Sequence, residues 1–579
     1  EKGAMSLTNV SFNAQTANST TQQFNVLVPS ENVFIDRAVD WVSSGVVQLT
    51  VTLAGTVAAN YPLLVPSQDV SLAAFPSHQC VAQMTATIND ATVTVNTQDV
   101  MNYVLRLQDL AKNRKQRTCP TKLDIYAYNP DTTKFPNSPL NGYSDRYAAD
   151  EAPNGSFAQW WFADSTGSAL YGSGTYTGGT YINGVPVTAA ATTSYPIYIR
   201  WQSAEKLLLP PFIFGDDYEL STGFFGVQNF QVQMNMSASP SRAIRLASSV
   251  YSKTIGPAGT TTTIQSISSP TWATGISGAY APYPFQPALS VQFLTPAIDV
   301  PLPPKSIVPY MEFPRYITTG LPSIGSTLGT TASSAKSTAT GTVVSSNTIT
   351  LPNIPDLLLL YLKPSTPGAT LFSTAAPYPG GGTTWDSTIG DFSLPIQGVS
   401  INFDNFSGLL ANHTQYELYK MSVANGLEMD WSEWSGEGRC ASALSSSAAV
   451  VGTAAGNSPF ASLVGGPLVL RPGRDFALQA GQAPGLVGNF TLQVQLTVGN
   501  QFSAAIATGA VNLYIVPVSS GFFETIKGSS RIIKGVLTEQ DILAAPPRAP
   551  EPALERLVGE GKHHSGAKHK GKSVMSQYM

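Results

Sequence analysis

Apolar and polar residues alternate one by one in short runs along almost the whole chain, as in QQFNVLVP, NVFIDRAVDWV, GVVQLTVTLAG, QMTATIND and ATVTVNT. A period of two sends successive side chains to opposite faces of an extended backbone, so each run predicts a strand with one buried face. The pattern spans 579 residues of which only 12% are charged and 42% hydrophobic, with 49 Gly and 42 Pro as turn formers. Few charges and many turns argue against long solvated helices and predict an all-β chain of two large domains, each of roughly 200 to 250 residues.

Two segments change period. In TQDVMNYVLRLQDLAK, Val100, Tyr103, Val104, Leu107 and Ala111 share one helical face, with Thr97 as the expected N-cap. In HTQYELYKMSVANG, Thr414 and Glu417 have capping-box spacing, Leu418 and Met421 face inward, and Gly426 suits the C-terminal cap. TVTVNTQDVMNYVLRL and VSINFDNFSGLLANHTQYELYKM hold similar places in their halves, which predicts an internal duplication. The expected organisation is an arm over residues 1–21, a first β domain over 22–238, a linker or extended excursion over 239–283, a second β domain over 284–545 and a flexible basic tail over 546–579.

The apolar run in IPDLLLLYLKP is short and closed by prolines, so it reads as a buried strand, and no membrane span is expected. EKGAMSLTN lacks the basic, apolar and small-residue succession of a signal peptide, which gives secretion no support. Cys80, Cys119 and Cys440 are too few for a disulfide framework, and their odd number fits a reducing compartment. The net charge of -4 confines any nucleic-acid contact to a local patch. The tail reads either as one, a cationic tether, or as a merely solvated terminus: Lys562, Lys568, Lys570 and Lys572, with His563, His564 and His569, all follow the last acid, Glu560. Its GAKHKGKS matches the written phosphate-loop pattern, but neither a buried strand before it nor a full helix behind it is predicted, so no nucleotide site is expected.

NGLEMDWSEWSG places Glu428, Asp430 and Glu433 among Trp431 and Trp434, the residue mix of sugar-cleaving enzymes. Glu428 and Asp430 on a strand would stand about 7 Å apart, and Asp430 and Glu433 on a helix about 5 to 6 Å, near glycosidase separations. Carboxylates on one face of one element point the same way, however, whereas a catalytic pair flanks the bond it cleaves. The preferred reading makes Trp431 and Trp434 packing anchors with solvated acids beside them, with no catalytic, metal or cofactor site. QWWFAD, with Trp160 and Trp161, supports either sugar stacking or a protein contact. RPGRD reads as a turn with an ion pair between Asp475 and Arg471 or Arg474, and His78 and His413 belong to no ligand set of metal-site size.

The succession FNVLVPSENVFIDRAVDW, MTATINDATVTVNTQDV, GVQNFQVQMNM, VPYMEFPRYITT, LPNIPDLLLLYLKP, FDNFSGLLANHTQYELYKMSVANGLEMDWSEWSG, GRDFALQAGQAPGLVGNFTLQVQLTV and GVLTEQDIL resembles the double jelly-roll major capsid proteins of the polinton-like virus, Polinton, adintovirus and virophage group. The resemblance, carried by the order of the blocks, implies two tandem eight-stranded jelly rolls, each with an inserted helix. It further implies a homotrimeric, pseudo-hexagonal capsomer tiling an icosahedral virion shell around double-stranded DNA. Its partners would be neighbouring capsomers, penton and minor capsid proteins, and genomic DNA through the tail lysines. A carbohydrate-binding or carbohydrate-cleaving β-sandwich is the alternative from another class, and a host-attachment spike is a second.

Overall fold

The computed structural model describes residues 6–54, 70–72, 76–107, 157–162, 181–182, 185–186, 193–213, 223–246, 251–254, 261–268, 271–273, 286–297, 302–325, 327, 340–365, 393–429, 431–435, 437–439, 460–462, 465–500, 505–535 and 537–544. In the first half one sheet orders Thr16–Ala17, Thr21–Val26, Phe230–Met236, Val81–Ile88 and Ala91–Val95. Its companion orders Ser6–Asn13, Ala288–Thr295, Asp40–Ala54, Thr193–Lys206 and Phe157–Phe162. In the second half Thr342–Ser345 and Ile349–Asn353 lie on Val487–Val498, followed by Ile396–Phe403 and Phe406–Leu409. The companion there orders Ser306–Glu312, Val511–Ile526, Leu357–Pro364 and Leu468–Leu470. Each half is a jelly roll.

The two halves repeat one plan. A hairpin, Val81–Ile88 with Ala91–Val95, leads into the helix Thr97–Val104; the hairpin Ile396–Phe403 with Phe406–Leu409 leads into the helix Gln415–Ala424. Both hairpins turn on a residue in the left-handed region, Asn89 at φ 54° and Asp404 at φ 53°, a conformation that Asn and Asp tolerate best among residues with a side chain. Likewise Asp40–Ala54 and Leu357–Pro364 each lie between a strand that precedes the last strand of the other sheet and one that follows it. The duplication is therefore legible as topology.

Alternation becomes burial. Phe230, Val232 and Met234 are buried while Gln231 and Gln233 are exposed, and Phe490, Leu492, Val494, Leu496 and Val498 repeat the pattern on Val487–Val498. Burying a side chain of this size stabilises by about 1.5 to 3 kcal/mol relative to exposure, so the pattern alone sets which face turns inward. One close approach demands glycine: Gly45 pairs with Trp201 across the sheet, and a methyl group there would overlap the indole. All eight residues of Leu357–Pro364 are buried, which requires cover on both faces.

Four expectations change. Thr97 is the first residue of its helix, with Asn96 at the N-cap position, and the Thr97 hydroxyl is buried without a hydrogen-bond partner. The side chain of Asn96 makes no capping bond either, because tertiary contacts rather than a local cap hold this helix end. The span expected as a linker or extended excursion is not a bare linker: it contains Tyr251–Thr254, Thr261–Ile267 and Thr271–Trp272; the latter two pair with Asp40–Ala54, and Tyr251–Thr254 pairs with Thr261–Ile267. Ala288–Thr295 pairs with Ser6–Asn13 and Asp40–Ala54, so residue 284 falls before the last strand of the first roll, and the expected N-terminal arm forms a strand of it. Polar Ser/Thr-rich strands have weak apolar periodicity and depend on the long neighbour they extend. In the second helix the Thr414–Glu417 capping box is formed, Leu418 is buried, Met421 is half-buried and Gly426 has φ +97°.

Candidate assembly site

Side chains from the second helix, the segment after it and the turn beyond the strand close an open sheet edge. Leu468–Leu470 ends its sheet, pairing on one side with Leu358, Leu359 and Leu360. Its other side has no strand partner among the described residues, and such an edge is a template for pairing with another chain unless something covers it. Four side chains do. Trp434 Nε1 donates to Pro467 O at 2.7 Å; Val469 N donates to Ser422 Oγ at 3.0 Å; Asn425 Nδ2 donates to Val469 O at 3.0 Å; Arg471 N donates to Asp475 Oδ2 at 2.7 Å. Peptide groups of residues 467, 469 and 471 are satisfied in turn, the period of one strand edge.

Trp434 is 1% exposed, whereas Trp431 is only half-buried. Trp431 stacks on Trp434 at 5.9 Å between ring centroids and meets Tyr416 and Tyr419 edge-on at 5.4 and 5.3 Å. The buried ring of Trp434 has no free face for a sugar, and Glu428 is exposed, its backbone N–H donating to Arg106 O at 2.8 Å. The side chains of Asp430 and Glu433 lie outside the described residues. In the RPGRD turn, no ion pair joins either arginine to Asp475 among the described residues. Asp475 takes the Arg471 amide and Asn425, and Arg474 Nη1 donates to Ala424 O at 3.1 Å, because the edge peptides and the helix end need these groups more.

The two rolls meet in a polar and aromatic seam built around the first helix. Tyr103 stacks on Tyr361 at 3.6 Å, its hydroxyl lies 2.5 Å from Ser393 Oγ, and Tyr361 OH donates to Asp99 O at 2.7 Å. Lys363, fully buried, donates to Gln98 O at 3.0 Å and lies 3.7 Å from the Asp99 carboxylate, which also holds Arg315 at 2.5 Å. At the hairpin end Asn89 Nδ2 donates to Ser530 Oγ at 2.8 Å, Ser530 N donates to Asp90 Oδ1 at 2.5 Å, and Thr525 Oγ1 donates to Phe225 O at 2.5 Å. Hydrogen bonds from the Ser530 amide and the Ser529 hydroxyl hold the Asp90 carboxyl below the ordinary aspartate value. The sequence places Tyr103 on the apolar face of its helix and Tyr361 and Lys363 in a buried run, but nothing local joins them across the rolls; the one available signal is Lys363, a cation within an apolar run.

Inside the first roll, His78 Nδ1 lies 2.5 Å from Glu205 Oε2, and Ser77 N and Ser203 Oγ donate to Glu205 Oε1 at 2.9 and 2.7 Å. Burial pushes the Glu205 carboxyl up, but the hydrogen bond and charge of His78, with Ser203 and the Ser77 amide, outweigh it and hold it below the ordinary value. Cys80 is a free, buried thiol pushed well up by burial and by the Glu205 charge, so it is a packed side chain rather than a nucleophile. No group of three metal-ligating residues occurs among the described residues, and no helix there is long and apolar enough to cross a membrane. Lys562, Lys568, Lys570, Lys572, GAKHKGKS, Cys119 and Cys440 lie outside the described residues, as do the side chains of Trp160 and Trp161.

Comparison with known proteins agrees with this architecture. Residues 1–277 match the family of the Sputnik virophage major capsid protein first domain, and residues 313–521 match the major capsid protein V20 C-terminal domain. The chain is 25% identical over 552 residues to the putative capsid protein V20 of Sputnik virophage, covering 94% of this chain and 78% of that protein. The Sputnik virophage structure superposes with a TM-score of 0.68 at 23% identity over 96% of this chain and 94% of that one. The mavirus major capsid protein superposes with a TM-score of 0.61 at 13% identity over 94% and 93%. Two successive capsid-domain matches in the right order, on a duplicated jelly roll with a bonded seam, show that the chain belongs to the virophage-type double jelly-roll major capsid proteins, the subunits of the virion shell.

Proposed function

We propose that three copies of this chain close into a pseudo-hexagonal capsomer and that capsomers tile an icosahedral shell around double-stranded DNA. The observation that carries the reading is the same roll present twice in one chain, joined by a seam, since three such chains offer six similar bodies to a hexagonal lattice. The activity is burial without catalysis. Contacts within the trimer bury on the order of 2,000 Å² or more each, with apolar centres, and those between capsomers are smaller and more polar, so that misplaced trimers dissociate. Penton and minor capsid proteins complete the shell. Sedimentation of purified protein is expected to give a trimer across a broad concentration range; a stable monomer sinks the reading.

The tail lysines Lys562, Lys568, Lys570 and Lys572 contact the inner shell, a minor capsid protein or DNA. If all four meet phosphates, log affinity against log salt slopes by at most about -3.6. Deleting the residues after Glu560 lowers DNA content or shell yield; unchanged values of both remove the tail from the mechanism.

A further inference from the structure

The seam inside the chain is directional. The helix Thr97–Val104 of the first roll lies on Leu357–Pro364 of the second, through the Tyr103–Tyr361 stack and the bonds of Tyr361 and Lys363 to Gln98 and Asp99. Each roll carries both surfaces, because the plan is duplicated: a helix after the hairpin, and a central strand in the companion sheet. Among the described residues this contact uses only the helix of the first roll and the strand of the second. The helix of the second and the strand of the first are left over from it.

Both leftovers are incompletely buried. On Gln415–Ala424 only Leu418 and Ser422 are buried, while Tyr416 and Val423 are 50% and 42% exposed. Lys420 Nζ sits 4.7 Å from the centroid of the Tyr416 ring, and Tyr416 leans on half-buried Trp431. Counted from the N-cap position, Glu417 stands where Asp99 stands in the first helix. Leu357–Pro364 is buried on both faces, whereas Asp40–Ala54 keeps Val42, Ser44, Val46, Gln48 and Thr50 only half-buried on its outward face. The one charged residue of that outward row is Asp40 at the first position of the strand, so covering Val42 to Thr50 desolvates no ion.

We propose that the helix Gln415–Ala424, with Tyr416, Val423 and Trp431, docks on the outward face of Asp40–Ala54 in a second copy of this chain, repeating between chains the contact that joins the rolls within one. The inference rests on the trimer reading and names its surfaces. A head-to-tail contact of this kind uses two different patches, and three chains close the ring with none left over.

The test uses the full chain, with Tyr416→Glu/Val423→Glu as the helix variant and Val46→Asp as the strand variant. Each is expected to weaken the contact about a hundredfold or more and to sediment as a monomer, with circular dichroism and melting unchanged. Should Val46→Asp unfold, Ser44→Arg replaces it on the same face. Mixing the two variants restores one intact contact per pair, so crosslinking captures a one-to-one dimer and nothing larger. A trimer retained by either folded variant, or a mixture without dimer, overturns the assigned surfaces while the trimer reading stands. A wild-type chain that is monomeric throughout overturns both.

Discussion

Removing the Ser422 hydroxyl is expected to loosen the strand edge of the second roll. Ser422→Ala leaves the buried Val469 N–H without its acceptor at 3.0 Å and also removes the bond from Ser422 Oγ to Leu418 O at 2.9 Å. An unsatisfied buried peptide donor costs about 1 to 3 kcal/mol. Alanine returns about 0.5 kcal/mol through its higher helix propensity, so the net loss is about 0.5 to 2.5 kcal/mol. Hydrogen exchange reads this locally: the amides of Leu468 and Leu470, on the strand paired with Leu358–Leu360, should exchange about twofold to seventyfold faster. Asn425→Ala should act at least as strongly, since it frees the Val469 carbonyl and takes a partner from Asp475. Unchanged exchange at residues 468 and 470 in both folded variants, Ser422→Ala and Asn425→Ala, would refute the edge-capping argument.

Further outcomes follow from the same geometry. Trp434→Ala should destabilise by about 3 to 5 kcal/mol, and half-buried Trp431→Ala by clearly less; equal effects on denaturant midpoints would contradict the burial argument. Asp99→Asn removes the carboxylate charge beside the fully buried Lys363 and should weaken the seam by about 3 to 5 kcal/mol, read as faster limited proteolysis between the rolls. Because the folded Glu205 carboxyl titrates below its unfolded value, its stabilisation is full above the unfolded pKa of about 4.3 and is lost as pH falls through the folded one. Glu205→Gln should therefore lower the melting temperature at pH 7, with the gap narrowing below about pH 4; a pH-independent gap would show that the carboxylate charge contributes nothing.

The all-β class, the two helices and the capping box of Thr414 and Glu417 follow from spacings of two to four residues, which set side-chain direction whatever lies beyond. The buried strand Leu357–Pro364 is legible as a short apolar run closed by prolines, whereas the boundary between the halves is not, because Ala288–Thr295 pairs back into the first roll. What the short motif Trp431–Trp434 does was not, because its partners sit elsewhere in the chain: Trp434 serves Pro467, Ser422 serves Val469, and Asp99 meets Lys363 from the other roll. Likewise Thr97 looks like a cap in sequence, yet bonds from the second roll to Gln98 and Asp99 hold that helix end. Local spacing decides which face of an element is apolar; only the packed fold decides which peptide groups are left at an edge and which distant side chain reaches them.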